Sequence, residues 1–388
     1  MSILWQDAMA SALYGPGGFF VAGTGPADHF RTSVHASPAF ATALLRLVTE
    51  VDAALGHPDR LDVVDVGAGR GELLQSLLGL VASGGAVGVA AGVSGEPTRS
   101  GRSGLIPPRA GSPETLTPTA SVRFLRDEPS SGTVRPSLAD RVRFTAVEYA
   151  DRPENLPEEI NWTAEIPAEI TGVLLATEWL DNVPLDVAVH TEDGWRYLLV
   201  DPATGAESVG EPVSPDDLDW LTNWWPRPET PHSNHRRAEI GRTRDEAWAQ
   251  AVGKISRGLA VAVDYGHLRE ARPVDGTLTG YRGGRQVPPV PDGSSDVTAH
   301  VAMDSVASAG AAVARCAYSL VLQREALRAL GADGGRPPLS LAGTDPVGYV
   351  RALAAASAVA ELTDPAGLGG HWWLRQPVGI PLGPAVAR

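Results

Sequence analysis

The chain has one cysteine, Cys316, one lysine, Lys254, and few aromatic residues. A lone thiol excludes both an internal disulfide framework and a thiolate metal cluster, and it fits a reducing compartment. No run approaches the ~18 apolar residues of a membrane span. The start, Met-Ser-Ile-Leu-Trp-Gln-Asp, lacks the basic and apolar regions of a signal peptide, so a cytoplasmic protein with no membrane partner is expected. Positive charge is also short. Lys and Arg number 32 against 46 Asp and Glu, a formal net charge of -14 with no dense basic run, which argues against nucleic acid as a partner. No Gly-x-Ser-x-Gly follows a strand-like run, which removes the usual serine-hydrolase signature. His232 and His235 have no carboxylate ladder nearby, so no metal site is expected.

What is present is an alternation of short apolar runs with helical spacing, across 388 residues. Ser37-Pro38 reads as an N-cap with proline at the first helical position, opening a helix through about Val51. Leu61 to Val66 reads as a strand, and Gly71 to about Val81 as a helix. Strands are also expected at Arg141 to Val147, Ile170 to Ala176 and Gly258 to Val263. Val187 to His190 and Trp195 to Val200 flank Glu-Asp-Gly as a hairpin. Helical spacing covers Asn234 to Ile255, Ser319 to Leu330, with Gly331 as its stop, and Pro346 to Leu362. Such alternation implies a mostly parallel sheet with helices on both faces and ligands beyond the carboxyl ends of the strands.

Residues 1–60 are read as a segment covering cofactor and substrate, and 61–200 with 234–331 as a Rossmann-like domain. A flexible insertion at 82–138 interrupts that domain. Residues 201–233 are read as a substrate-side insertion and 332–388 as a C-terminal extension.

Asp65-Val-Gly67-Ala-Gly69-Arg-Gly71-Glu72 joins the first of these strands to its helix. Glycines are needed there because the backbone turns sharply and approaches a ligand too closely for a β-carbon. A dinucleotide loop would carry Gly-x-Gly-x-x-Gly; here the third glycine comes one residue early. That spacing suits S-adenosylmethionine (SAM), which brings no phosphate. Asp65 or Glu72 could receive its ammonium group, and Glu148, closing the next strand, its ribose hydroxyls.

Glu178-Trp-Leu-Asp181-Asn182-Val-Pro184 ends another strand with polar groups. Methyl transfer is an in-line displacement that depends on alignment, and a pair of carboxylates could fork onto a guanidinium and aim its nitrogen. Glu178 and Asp181 are therefore the candidate catalytic residues. Asn182, Tyr265, His267 and His300 are substrate-side candidates, with a structural turn an equal reading for 265–267 and an interior hydrogen-bonded role the commoner one for His300.

In order, these segments resemble the MidA (DUF185) family of class I SAM methyltransferases, whose mitochondrial members assist assembly of respiratory complex I by methylating an arginine on one of its subunits. The resemblance runs from about residue 12 to 331. It rests on Tyr14-Gly-Pro-Gly-Gly-Phe, Phe30-Arg-Thr-Ser33, the glycine loop, Val147-Glu148, Ala176-Thr-Glu-Trp-Leu-Asp-Asn-Val-Pro184, Val263-Asp-Tyr-Gly266, Gly276-Thr-Leu278 and Asp296-Val-Thr-Ala-His300.

The resemblance implies an α/β fold with a Rossmann-like class I methyltransferase sheet and an additional substrate-side subdomain. It also implies that Phe30 to Ser33, including Thr32 and Ser33, line the cofactor entrance. The function expected is methylation of a protein side chain, with arginine favoured and a homodimer compatible. A small-molecule acceptor is the alternative enzyme reading. Thr177, where the family has Asn, and Asp28-His29 before Phe30 motivate a further alternative, a binding module with weak catalysis.

Overall fold

The protein is seen in a computed structural model, in which residues 1–22, 32–84, 136–225, 237–332 and 334–381 are described. Seven strands form the main sheet: β1 (Leu61–Val66), β2 (Val142–Val147), β3 (Ile160–Thr163), β4 (Ile170–Thr177), β5 (Ile255–Asp264), β6 (Ser319–Leu322) and β7 (Trp372–Val378). Their order is β6-β7-β5-β4-β1-β2-β3. The first five are parallel where they pair, and β7 runs antiparallel to both β5 and β6.

Alternation along each inner strand builds two cores, because successive side chains point to opposite faces. Val63, Val173, Leu175, Leu259, Val261 and Val263 join Phe40, Leu44 and Leu74 of the helices Pro38–Ala54 and Glu72–Ala82 on one face. Val64, Val66, Leu174, Ala176, Ala260 and Ala262 meet Trp248 of Arg242–Gly253 and Val306 of Met303–Ala314 on the other. Ser37 caps the first of these helices, its hydroxyl accepting from the Ala39 N–H at 3.1 Å. Among the described residues no helix is long and apolar enough to cross a membrane.

Several sequence expectations are revised. The hairpin Asp186–Thr191/Gly194–Val200 lies in a separate five-stranded sheet with Ile3–Leu4, Glu207–Pro212 and Arg237–Ile240 rather than in the Rossmann-like sheet. The stretch 234–255 is not one helix: Arg237–Ile240 pairs with Asp186–Val189, and the helix begins at Arg242. Likewise Ser319–Leu322 is strand β6, with only Gln323–Ala329 helical. Residues 332–388 do more than extend the domain, since β7 inserts between β5 and β6 with Trp373 fully buried. In each case tertiary pairing overrides local spacing. The insertion read at 82–138 falls largely outside the described residues.

Arg244, on the helix Arg242–Gly253, ties the segment after β4 to the segment around Ala299. It is 0% exposed, and its guanidinium donates to the carbonyls of Val183 (3.1 Å), Ala299 (2.8 Å), His300 (3.1 Å) and Asp181 (2.5 Å). The planar fork reaches four acceptors that an ammonium could not span. Arg244→Met should leave those carbonyls unpaired and lower stability by about 3 kcal/mol, with Arg244→Lys giving little rescue; urea unfolding midpoints check this.

Candidate active site

The chain passes from β1 to β2 on one side of β1 and returns to β4 on the other. The loops after β1 and β4 therefore diverge, which is where an open α/β sheet forms its ligand crevice. A cleft of ≈ 590 Å³ opens there, lined by the glycine loop, Glu148, Glu178 and Asp181.

Gly67, Gly69 and Gly71 all have positive φ, 72°, 59° and 79°. A β-carbon on Gly67 would lie 2.9 Å from Trp179 Cδ1, and one on Gly71 2.7 Å from Leu156 Cδ1, so the turn admits only glycine without displacement. Glu148 closes the loop: its Oε2 accepts from the Gly69 N–H at 3.1 Å, and its Oε1 from Tyr149 N–H at 2.7 Å. Asp65, 2% exposed, has an Oδ1 with no partner. Burial, then the charges of Glu72 and Glu148, push its carboxyl up to about 8.

Glu72 accepts from Arg70 N–H at 3.0 Å and lies 3.5 Å from His35 Nε2. Burial opposes its ionisation, but His35 and backbone N–H groups outweigh it and hold the carboxyl below its usual range. The same contact raises His35. His35 was not among the sequence candidates. Its one local signal is Thr32 a helical turn earlier, whose Oγ1 is 2.7 Å from His35 Nδ1.

Glu178 follows β4 directly and has φ 52°, a left-handed conformation that a residue with a β-carbon adopts at a cost of about 1 kcal/mol. This turn aims its carboxylate into the cleft, where Oε1 accepts from Ser33 N–H at 3.0 Å. Burial first, and Asp181 second, raise it to about 7 despite that bond. Asp181 Oδ2 accepts from Thr298 Oγ1 at 2.7 Å and from the Tyr265 hydroxyl, while its Oδ1 has no partner. Asp264, at the end of β5, holds the segment by accepting from Leu180 and Asp181 N–H at 3.0 and 3.3 Å. Burial raises Asp181, Asp264 and Asp296 alike.

The structure brings Asp65, Gly67, Gly69, Glu72, Glu148, Glu178, Asp181, Asn182 and Thr32 to the cleft wall, with Gly71 just behind it. Asn182 faces partly inward, donating from Nδ2 to Asp296 Oδ1 at 2.7 Å. Ser33 is 0% exposed and stands behind Glu178 rather than at an entrance. Phe30 lies outside the described residues.

Tyr265 reaches the site from behind, through Asp181. His267 points elsewhere: Arg272 Nη1 donates to its Nδ1 at 2.7 Å, and burial, then Arg272, push it down to about 3. His300 is exposed rather than interior, and neither histidine lines the cleft. Among the described residues no cluster of three or more His, Cys, Asp or Glu could hold a metal ion.

Residues 129–320 match the family model described as "Putative S-adenosyl-L-methionine-dependent methyltransferase". No curated protein matches the chain. Two crystal structures from Burkholderia thailandensis are similar along the whole chain. One, a COG1565 superfamily member bound to S-adenosyl-homocysteine, is 20% identical, covers 99% of this chain and 90% of its own, and has a TM-score of 0.69. The other, a native COG1565 superfamily protein, is 21% identical over 100% of this chain and 90% of its own, with a TM-score of 0.67. The fold is that of a class I methyltransferase, an α/β sheet with helices on both faces.

The cleft fits SAM on its own chemistry. Asp65 presents an unpartnered buried oxygen, Gly69 leaves open the room a side chain would fill, and Glu148 keeps free lone pairs beside the loop. Six carboxyl groups, those of Asp65, Glu72, Glu148, Glu165, Glu178 and Asp181, line the cleft with Arg70, Lys254 and His35, and a bound cation would favour ionisation of those that burial keeps protonated.

Proposed function

We propose that the protein is a SAM-dependent methyltransferase acting on a protein side chain, and that the acceptor atom is an arginine nitrogen. One observation carries the reading. Glu178 and Asp181 line the same cleft as Asp65 and Glu148, and among the described residues neither forms an ion pair. Two carboxylates in one cleft, neither held in an ion pair, suit a guanidinium, which can fork across both.

SAM, when bound, supplies an electrophilic methyl group on a sulfonium. Asp65 would hold its ammonium group and Glu148 its ribose hydroxyls. Glu178 and Asp181 would orient the guanidinium and concentrate its positive charge on the nitrogens facing them, leaving the remaining nitrogen more nucleophilic. The methylated nitrogen sheds one proton, and a carboxylate raised to about 7 is matched to receive it near neutral pH. Because Glu178 binds a guanidinium only as the anion, activity should fall as pH drops below about 7. A kcat/KM profile checks this, and a flat profile from pH 6 to 8 would remove Glu178 from the role.

Calorimetry with SAM and with S-adenosylhomocysteine on the full chain tests the first half of the reading: no binding in a folded preparation overturns it. Transfer of radiolabelled methyl into fractionated lysate tests the second half. Label in protein, recovered as methylarginine after hydrolysis, is the expected result; label only in small molecules assigns a metabolite acceptor, and binding without transfer assigns a binding module.

A further inference from the structure

Four aromatic rings line the cleft, those of Tyr14, Phe20, Tyr149 and Trp179, in a chain that is only 6% aromatic. Trp179 packs on the glycine loop, its Cδ1 2.9 Å from where a β-carbon on Gly67 would lie, and Tyr149 is exposed. Tyr14, at the end of the helix Trp5–Tyr14, touches both halves of the site. On the acceptor side its hydroxyl donates to the Asn182 carbonyl at 3.3 Å. On the cofactor side its ring meets that of Tyr149, the residue after Glu148, with centroids 5.6 Å apart and planes at 66°. Phe20 stacks on the same ring at 5.6 Å and 27°. These three contacts fix the ring in place.

In SAM the sulfonium joins the ribose to the amino-acid chain and carries the methyl group. It therefore has to lie between the residue suited to the ribose, Glu148, and those suited to the acceptor, Glu178 and Asp181. An aromatic face is electron-rich and attracts a cation that has left water. That attraction needs no ionisation, whereas burial raises the carboxyls of Asp65 and Glu178 to about 8 and about 7 and leaves them partly neutral at neutral pH. Tyr14 itself stays a neutral phenol, because burial first, then the charges of Asp296, Glu148 and Asp181, raise it well above its usual value.

We propose that the Tyr14 ring, held by Phe20, Tyr149 and the Asn182 carbonyl, faces the sulfonium and makes the site favour SAM over its demethylated product. Once the methyl group has left, the thioether is neutral and this attraction is gone, which favours exchange of S-adenosylhomocysteine for SAM. The inference rests on the reading of the cleft as a SAM site and not on the identity of the acceptor. Its sequence signal is slight, since Tyr14 lies far along the chain from Tyr149 and Asn182 and meets them only in the fold.

Calorimetry on the full chain with SAM and with S-adenosylhomocysteine tests this without turnover. Tyr14→Leu should weaken SAM by about five- to tenfold and S-adenosylhomocysteine by less than about twofold. Tyr14→Phe keeps the ring and should hold the wild-type ratio of the two affinities. The same variant with a trifluorinated ring keeps the shape but withdraws electron density from the face, and it should lose that ratio as Tyr14→Leu does. The fluorinated ring decides the matter if Tyr14→Leu fails to fold. A ratio that fluorination leaves unchanged overturns the proposal, as does equal weakening of both ligands in a folded Tyr14→Leu, which assigns the ring to packing alone. Loss of the ratio in Tyr14→Phe also overturns it, by assigning the effect to the hydroxyl. Binding of neither ligand by the wild type overturns the SAM reading together with this one, so the two failures are told apart.

Discussion

Glu178→Gln should bind SAM with affinity unchanged to within about twofold, and transfer methyl groups about 10³-fold more slowly, a loss of about 4 kcal/mol from the transition state. The two effects separate because the proposal assigns Glu178 to the acceptor, whereas the residues suited to the cofactor are Asp65, Glu148 and the loop glycines. Glutamine keeps the shape and one acceptor oxygen but removes the charge that, in the proposed role, would draw a guanidinium and take its proton. The acid limb near pH 7 should vanish with it, since no carboxylate remains at that position to titrate. Radiolabelled methyl transfer at saturating SAM, beside calorimetric affinity, reads both outcomes. Normal turnover would place the acceptor elsewhere, with Asp181 and its unpartnered Oδ1 the next group to change.

The part of this site that was legible in sequence is the part made of contiguous residues. Leu61 to Glu72 reads as strand, turn and helix because apolar run, glycines and helical spacing follow one another within a dozen positions, and the structure keeps those bounds nearly unchanged. Glu178 and Asp181 were legible for the same reason, as polar groups ending an apolar strand. β3 was not, because Ile160–Thr163 has four residues, with only Ile160 and Trp162 apolar. Nor was β7: Trp372-Trp373-Leu374 could equally be a core edge, and only pairing with β5 and β6 makes it a strand.

What positions the catalytic candidates is long-range and leaves no local trace. Arg244 reads as one of many surface arginines on a helix, yet it is wholly buried because four carbonyls from two segments converge on it. His35 acquires its partner only when Glu72 arrives from the glycine loop. Tyr265 was proposed from sequence as a substrate contact, and it instead supports Asp181, a role that depends on Thr298 bonding the same carboxylate oxygen. Sequence patterns report which groups end a strand; they do not report what stands behind them.

Asp65→Asn should make the cofactor-free protein more stable at pH 8 while weakening SAM by about 100-fold, near 3 kcal/mol. The stability sign follows from the raised carboxyl. Between its ordinary value of 3.8 in the unfolded chain and about 8 in the fold, Asp65 keeps a proton that the unfolded chain has released. The folded state then binds more protons, so stability from this group is full below about pH 4 and declines as pH rises toward 8. Asparagine cannot ionise and should flatten that decline, raising the thermal midpoint of the free protein at pH 8 more than at pH 5. In the wild type a cationic ligand reverses the problem, because its ammonium supplies the charge that burial withholds from Asp65. SAM should therefore bind the wild type more tightly at pH 8 than at pH 6 and bind Asp65→Asn weakly at both. Calorimetry at the two pH values, with thermal melts of the free protein, checks the pair of effects together. Equal SAM affinity in wild type and variant would mean that the buried oxygen of Asp65 does not face the cofactor. A variant less stable at pH 8 would mean that its carboxyl is not the strained group the site requires.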